Sequence, residues 1–205
     1  MKSLNPLRIA VQSHGRLSEP SLSYLRSLGL DFKSNGRVLI TSCENFDLQI
    51  LHLRDDDIPE YVSREVADFG IVGENVLYEK KAKVKILKKL GFGRCSLVIA
   101  VPENSSLKTL SDLEGERVAT TYPRILSSFL KEKGVNAAII PIEGSVEIAP
   151  SLNLADAICD LTQTGKTLKE NRLVPILKIL ESEAVLIEST SPKKEKSELM
   201  LRINR

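Results

Sequence analysis

Ala155-Asp156-Ala157-Ile158-Cys159-Asp160-Leu161-Thr162-Gln163-Thr164-Gly165-Lys166-Thr167-Leu168 is a strand, a loop and the start of a helix in one unbroken stretch. Residues 155–161 are mostly apolar and have the length of a buried strand. Gly165 and the threonines around it are typical of a loop, after which a short helix begins. A strand that passes through a short loop into a helix is the repeating unit of an α/β fold.

The same alternation extends outward along the whole chain. Short apolar runs predict strands at residues 7–12, 38–42, 48–54, 69–73, 97–102, 117–121, 137–142 and 155–161. Amphipathic stretches predict helices at residues 19–28, 58–67, 74–81 and 124–133. This order favours an α/β fold with mostly parallel sheets flanked by helices.

A lysine-rich segment divides the predicted elements into two groups. Residues 80–89 carry six lysines and are followed by Gly91, Phe92 and Gly93, which predicts a crossover between two lobes. We expect lobe I to comprise residues 1–91 and 173–205, and lobe II to comprise residues 92–172 with the loop quoted above. Two lobes joined in this way predict an active site in the cleft between them.

The composition is that of a globular protein with little net charge. The chain has 205 residues, is 42% hydrophobic and carries a net charge of +2, which leaves no electrostatic footprint for nucleic acid. No apolar run approaches the roughly 18 residues of a membrane span, and no secretion signal is visible. Cys43, Cys95 and Cys159 lie far apart and indicate buried, reduced thiols. We therefore expect a cytoplasmic protein that binds neither nucleic acid nor membrane.

The loop at residues 162–167 has the chemistry of a phosphate site. Backbone amides at a helix start, three threonine hydroxyls and Lys166 can all donate hydrogen bonds to phosphate oxygens. Asp160 suits ribose hydroxyls or the orientation of the loop. The glycine spacing of a Walker P-loop is absent, which disfavours an ATPase of that kind. The alternative is an ordinary turn in which threonine and glycine only cap a helix.

Other polar residues follow predicted strands. Arg16 and Arg54 each end a strand and could bind phosphate oxygens bidentately, although a surface salt bridge is the alternative for both. Asp57 is followed by Glu60 at the spacing of a capping box, which we favour over a metal site in the three aspartates 55–57. Gly73 opens another helix after a buried strand.

The two histidines are predicted to have different roles. His14 adjoins Arg16 and is a candidate phosphate contact, whereas His52 alternates within a strand and is expected to be packed or solvated.

Several motifs, in order, resemble the signature of ATP phosphoribosyltransferases. Its centre is EGSVE (143–147), ADAICDL (155–161) and TGKTL (164–168). Further matches are QSHGRL (12–17), RDDDIP (54–59), DFGIVGEN (68–75), GFGRC (91–95) and ATTYP (119–123). The resemblance covers the chain from about residue 7 to about residue 190. One departure is His14, because many members carry lysine there.

The resemblance implies a fold similar to that of two-lobed periplasmic binding proteins, and the condensation of ATP with 5-phosphoribosyl 1-pyrophosphate. The products are phosphoribosyl-ATP and pyrophosphate, in the first step of histidine biosynthesis. Arg16 and Arg54 are the catalytic candidates, and Mg²⁺ is expected to arrive bound to substrate. The residues expected to bind the phosphoribosyl donor are Asp160, Thr162, Gln163, Thr164, Gly165, Lys166, Thr167, Glu143 and Glu147. The residues expected to bind ATP are Gln12, Gly15, Arg16 and Tyr122.

The resemblance also bears on partners. We expect a homo-oligomer, a dimer or higher, that associates through apolar surface on lobe I. Long members of the family add a regulatory domain, and short members use a subunit resembling histidyl-tRNA synthetase. The resemblance fits either a short member or a long member without its regulatory domain. Such a subunit is therefore a candidate partner, and the isolated chain is expected to be insensitive to histidine. The competing hypothesis is a two-lobed small-ligand binding module without chemistry, which pyrophosphate release from mixed substrates would exclude.

Overall fold

The computed structural model describes residues 6–33, 38–190 and 199. The strands are β1 (Leu7–Gln12), β2 (Ile40–Ser42), β3 (Leu48–Leu53), β4 (Phe69–Gly73), β5 (Lys85–Lys89), β6 (Cys95–Pro102), β7 (Arg117–Thr120), β8 (Ala138–Pro141), β9 (Ala157–Thr162), β10 (Leu173–Ser182) and β11 (Ala184–Glu188). The α-helices are α1 (Ser18–Ser27), α2 (Ile58–Ser63), α3 (Glu74–Lys80), α4 (Pro123–Lys133) and α5 (Lys166–Glu170).

The chain forms two compact units. Unit 1 contains the described residues up to Gly93 and from Glu183 onward, and unit 2 runs from Arg94 to Ser182. Among the described residues, no helix combines the length and the apolar character needed to cross a membrane.

Unit 1 is a six-stranded sheet in the order β2-β3-β1-β4-β11-β5. Its central strands β3, β1 and β4 are parallel, while β2, β11 and β5 join antiparallel. Alternate residues of β1 enter different cores: Ile9 packs on one face and Ala10 on the other. Leu25 of α1 and Ile58 of α2 cover these two faces, so the unit has three layers.

Unit 2 is a five-stranded sheet in the order β10-β6-β9-β7-β8. Strands β9, β7 and β8 are parallel, and β6 and β10 join antiparallel. Leu126 of α4 packs with Cys159 on one face, and Leu168 of α5 packs with Ile158 on the other. Burial of a leucine of this kind contributes roughly 2 kcal/mol, so the two helices stabilise β9 from both faces of the sheet.

The sheets differ from the expected mostly parallel arrangement. Both are mixed, because β2, β5, β6, β10 and β11 pair antiparallel with their neighbours. The lysine-rich segment expected to be a crossover contains the edge strand β5, where lysines discourage pairing with another chain. Strand β10 pairs with β6, so the chain re-enters unit 1 at Glu183 rather than at residue 173.

The predicted capping box at Asp57 is wrong. Asp57 stands at the start of α2, but its side chain makes no capping hydrogen bond. A 3-10 turn at Asp55–Asp57 leads directly into the helix, and Glu60 instead pairs with Arg64 one turn later. Since the turn already continues into the helix, the side-chain cap has no role here.

A two-point ion pair fixes the approach to β9. The guanidinium of Arg117 donates to both carboxylate oxygens of Asp156, at 2.9 and 2.8 Å, and the Arg117 amide donates to the same carboxylate at 2.9 Å. These hydrogen bonds lower the pKa of Asp156 to about 2. The carboxylate therefore stabilises the fold above pH 3.8, its ordinary pKa, and this contribution is lost as the pH falls toward 2.

Candidate functional site

Three parallel strands of unit 1 end at one edge of its sheet. Gln12 at the end of β1 lies opposite Leu53 at the end of β3, and β4 runs parallel on the other side of β1. Residues that follow these strands therefore share the edge where ligands bind in open α/β sheets. Arg54 follows β3, Arg16 follows β1, and Asn75 is the second residue of α3, which begins directly after β4.

The loop between β1 and α1 is held by its own side chains. Gln12 accepts a hydrogen bond from the amide of Leu17 at 3.0 Å, and Ser18 donates to the carbonyl of Ser13 at 3.1 Å. Gly15 has a φ of +112°, and a Cβ there would lie 2.8 Å from Nε2 of Gln12. The positive φ favours glycine at this position, and the two hydrogen bonds hold the loop that presents Arg16.

The two candidate arginines have different surroundings. Arg16 is half-buried and donates from Nη1 to the carbonyl of Gly93 at 2.6 Å and from Nη2 to Oδ1 of Asn75 at 3.4 Å. Arg54 is exposed, and its side chain makes no hydrogen bond or ion pair with any residue in the described ranges. The guanidinium of Arg16 thus lies toward β4, while Arg54 lies on the opposite side of β1.

A buried acid lies beside the Arg16 region and was not singled out as a functional residue. Glu74 is 5% exposed, and Lys89 donates a hydrogen bond to Oε2 of its carboxylate at 3.1 Å. This hydrogen bond raises the pKa of Lys89. The amide of Glu74 donates to the carbonyl of Glu183 at 3.1 Å, so the start of α3 is tied to the strand entry at β11.

In unit 2, the residues expected to bind the donor line one small cavity. It measures about 140 Å³ and is bounded by Glu147 and by every residue from Asp160 to Leu168. Glu147 lies in a 3-10 turn at Val146–Ile148, and Asp160 lies near the end of β9. The structure therefore brings together all the expected donor residues except Glu143, which is exposed and does not line this cavity.

The loop after β9 leaves several hydrogen-bond donors available. Thr162 accepts a hydrogen bond from the amide of Gly165 at 3.0 Å, which closes a tight turn, and Gly165 has a φ of +75°. The amides without an acceptor among the described residues are those of Gln163, Thr164, Thr167 and Leu168. A loop with this many unused amides is a good receptor for an anion.

Asp160 has an unusual protonation equilibrium. Burial raises its pKa to about 6, and the nearby negative charge of Glu147 adds to the rise. The amide of Leu161 donates to Oδ1 at 2.8 Å and works in the opposite direction. Desolvation is the larger effect, so the carboxylate is held in an unfavourable environment, as is common for groups that bind a ligand.

The remaining candidates lie neither beside the Arg16 guanidinium nor at the cavity in unit 2. Tyr122 precedes α4, its amide donates to Thr120 at 2.9 Å, and its ring packs against the core of unit 2. His52 is buried and bonded to Thr41 at 3.0 Å, so the expectation that it is packed is confirmed. His14 is exposed. Its role as a phosphate contact stays a prediction.

Asn75 is a further candidate residue that the sequence motifs do not mark. Its contact with Arg16 joins residues 59 positions apart, which no local pattern reveals. The available signal was its place directly after a buried parallel strand, where ligand-binding residues collect.

Comparison with known proteins gives a consistent result. The family model described as HisG, ATP phosphoribosyltransferase, matches residues 54–205. The ATP phosphoribosyltransferase of Parabacteroides distasonis is 46% identical over 194 residues, covering 95% of this chain and 69% of that protein. The solved ATP phosphoribosyl transferase (HisG:HisZ) complex from Thermotoga maritima is similar with a TM-score of 0.82 and 29% identity, covering 97% of this chain and 95% of that chain.

A second group of solved structures shares the fold alone. The alkanesulfonate-binding protein SsuA from Xanthomonas axonopodis pv. citri has a TM-score of 0.60 at 15% identity, covering 97% of this chain and 69% of that chain. The expected fold, that of two-lobed periplasmic binding proteins, is confirmed. A likeness at this identity gives no support to a binding module without chemistry. The 46% identity and the family match decide the question: this chain belongs to the ATP phosphoribosyltransferase family, the phosphoribosyl-transferring enzymes of the first step of histidine biosynthesis.

Proposed function

We propose that the loop from Asp160 to Thr167 binds the phosphoribosyl donor in the reaction that this chain catalyses, the condensation of ATP with 5-phosphoribosyl 1-pyrophosphate. The observation that carries the proposal is the set of unused amides in a small polar cavity. The donor's 5′-phosphate accepts hydrogen bonds from these amides and from the threonine hydroxyls. Asp160 and Glu147 at the same cavity accept hydrogen bonds from the ribose hydroxyls.

The reaction requires that the two substrates be positioned and that the developing charges be stabilised. A ring nitrogen of adenine attacks the anomeric carbon, the bond from that carbon to pyrophosphate breaks, and its electron pair leaves with pyrophosphate. Positive charge grows on the sugar and negative charge on the leaving group. Arg16 and Arg54 supply the cationic groups for pyrophosphate, because a planar guanidinium can bind two phosphate oxygens at once.

ATP is assigned to Gln12, Gly15, Arg16 and Tyr122. Gln12 acts through the loop that it shapes, because its Oε1 holds the amide of Leu17. Gly15 brings the backbone close to the ligand, and the half-buried aromatic ring of Tyr122 is the proposed contact for adenine.

Mg²⁺ accompanies the pyrophosphate in this proposal. The described part of the chain has no group of three or more His, Cys, Asp or Glu side chains that could enclose a metal ion. Mg²⁺ commonly keeps several waters and binds through substrate phosphates with one or two carboxylates. When bound, it neutralises charge on the leaving group, and the chain's part is to orient the pyrophosphate.

The phosphate assignment predicts a selective effect of Thr162→Val. Valine keeps the shape of threonine but removes the acceptor for the Gly165 amide, so the turn loosens. We expect the KM for the donor to rise roughly tenfold while the KM for ATP changes less than about twofold. Steady-state kinetics with each substrate varied measure both values.

Thr109→Val is the matched control, because Thr109 is an exposed loop threonine of unit 2 whose hydrogen bonds are local, to Ser111 at 2.9 Å and to Asp112. Its kinetics should match those of the parent. Equal losses for both substrates in Thr162→Val, or a donor-bound structure with the phosphate beyond about 3 Å from the loop amides, would contradict the assignment.

We also propose a cytoplasmic homo-oligomer that associates through apolar surface of unit 1. Val38, Leu39 and Ile40 are consecutive and exposed, and Ile40 begins the edge strand β2. A second copy that pairs along this edge would cover them. Light scattering is expected to give at least a dimer mass, and Leu39→Asp should shift it to the monomer.

A regulatory subunit resembling histidyl-tRNA synthetase is a further proposed partner. The similar solved protein from Thermotoga maritima is a HisG:HisZ complex.

A further inference from the structure

We propose that Asn75 is a positioning residue for Arg16, holding the guanidinium in the plane from which it meets the departing pyrophosphate. The proposal rests on the proposed role of Arg16 and adds to it the group that orients this side chain. Arg16 is presented by a loop that two side-chain hydrogen bonds hold, but its own side chain has four rotatable bonds beyond that loop. Its orientation must therefore come from contacts at the guanidinium itself.

Two contacts on different nitrogens define the plane. Nη1 donates to the carbonyl of Gly93 at 2.6 Å, and Nη2 reaches Oδ1 of Asn75 at 3.4 Å. The first is a short hydrogen bond that anchors the group, and the second is a long one that sets its rotation. A guanidinium has five N–H donors, so these two contacts leave donors for a bidentate interaction with an anion.

Asn75 is itself held in place. Its side chain is 1% exposed at the start of α3, where the helix follows β4 without an intervening loop. A buried amide with so little freedom can orient a longer side chain, which a mobile surface group cannot do.

Gly73 gives independent support for a site that is shaped around the Arg16 guanidinium. Its backbone has ordinary extended angles, φ −73° and ψ 141°, so its conformation does not require glycine. A Cβ at this position would nevertheless lie 2.3 Å from Oδ1 of Asn75 and 3.4 Å from Nη2 of Arg16. The missing Cβ is what allows the amide oxygen to lie where it meets the guanidinium.

Gly93 lies on the other side of the guanidinium, where its carbonyl accepts the hydrogen bond from Nη1. Its φ of +65° already favours glycine, and a Cβ there would also lie 2.1 Å from Cδ2 of Leu17, the residue next to Arg16. Two glycines from different parts of the sequence thus leave room for one arginine and the loop that carries it.

The first test is Asn75→Ala in the full chain. We expect kcat to fall about tenfold and the KM values for ATP and the donor to stay within about twofold, because a misplaced transition-state contact costs turnover rather than ground-state affinity. Asn45→Ala is the control: Asn45 also belongs to unit 1 and makes two structural hydrogen bonds, to Gly29 and from Asp31. It is expected to lower stability without lowering kcat.

A double-mutant cycle separates positioning from structural damage. With Arg16→Ala in place, adding Asn75→Ala should change kcat by less than about twofold, because the residue acts through Arg16. Added guanidinium ion should partly restore turnover of Arg16→Ala, and the concentration needed for half-restoration should rise about tenfold when Asn75→Ala is also present. A residue that only packs the core would leave that concentration unchanged.

The outcomes are distinguishable. If Arg16→Ala leaves kcat near the parent value, the proposed role of Arg16 fails and the inference fails with it. If Arg16→Ala lowers kcat but the effect of Asn75→Ala simply adds to it, Asn75 is a structural residue and the inference alone is overturned. Should Asn75→Ala fail to fold, Gly73→Ala displaces the same amide oxygen and is measured by the same cycle.

Discussion

Replacing Arg54 by alanine is expected to lower the turnover number by roughly 100-fold or more, with the fold intact. Arg54 follows β3 at the edge where β1 and β4 also end. Negative charge develops on pyrophosphate only as its bond to the sugar breaks, so a cation at this edge acts mainly in the transition state. Loss of such a group lowers kcat more than it raises KM.

The structure makes Arg54 the cleaner of the two arginines to test. Its side chain is exposed and has no hydrogen-bond or ion-pair partner in the described ranges, whereas truncation of Arg16 also removes the donor to the Gly93 carbonyl. The melting temperature of Arg54→Ala should therefore equal that of the parent. A loss of turnover then reports the reaction and not a broken contact.

Arg64→Ala is the matched control for this experiment. Arg64 is another exposed arginine of unit 1, paired with Glu60 at the end of α2. Rapid-quench measurement of pyrophosphate release should show parent-like turnover for this variant. If Arg54→Ala kept a turnover number within a few-fold of the parent and changed only substrate affinity, its role at the leaving group would be wrong.

Much of the fold could be predicted because local patterns determine it. Strands β1 and β4 match the predicted ranges, since each is a short apolar run bounded by polar or glycine residues. Strand β5 was missed because lysines occupy most of its length, and an edge strand needs little apolar character. Strand β10 was missed because Pro175 and two irregular registers interrupt its alternation.

The two parts of the candidate site also differ in how far local sequence predicts them. The cavity in unit 2 is built from one turn and one strand–loop–helix stretch, so its residues were predictable from consecutive sequence. The surroundings of Arg16 were not, because Asn75 and Gly93 lie 59 and 77 positions away along the chain. Which residues meet at the end of β1 depends on the strand order, and sequence alone did not give that order.

Asp160→Asn is expected to raise stability and lower activity in the same protein. Burial raises the pKa of Asp160 to about 6, above its ordinary value of 3.8, so the folded state disfavours the carboxylate. The penalty is fully present above about pH 6 and vanishes as the pH falls to about 3.8, where the group is protonated in both states. A neutral amide removes it and should add about 1–3 kcal/mol to the free energy of unfolding at pH 7.5.

The activity of Asp160→Asn should fall, although its stability should rise. An amide keeps one oxygen for the Leu161 amide but offers an N–H₂ group where the donor's ribose hydroxyls need an acceptor. We expect kcat/KM for the phosphoribosyl donor to fall roughly 100-fold. In the parent, the same loss should appear gradually as the pH falls below about 6, the pKa of Asp160, whereas the variant should show no such pH dependence.

Asp112→Asn provides the opposite control within unit 2. Asp112 accepts hydrogen bonds from the amides of Lys108 and Thr109, which lower its pKa, so its carboxylate favours the folded state. Its replacement should lower stability and leave donor kinetics unchanged. Urea unfolding between pH 4 and pH 8, with donor kinetics over the range where the enzyme stays folded, measures both effects. If Asp160→Asn lost stability as Asp112→Asn does, the carboxylate of Asp160 would be a structural group. Its unfavourable burial beside the loop at residues 162–167 would then need another explanation.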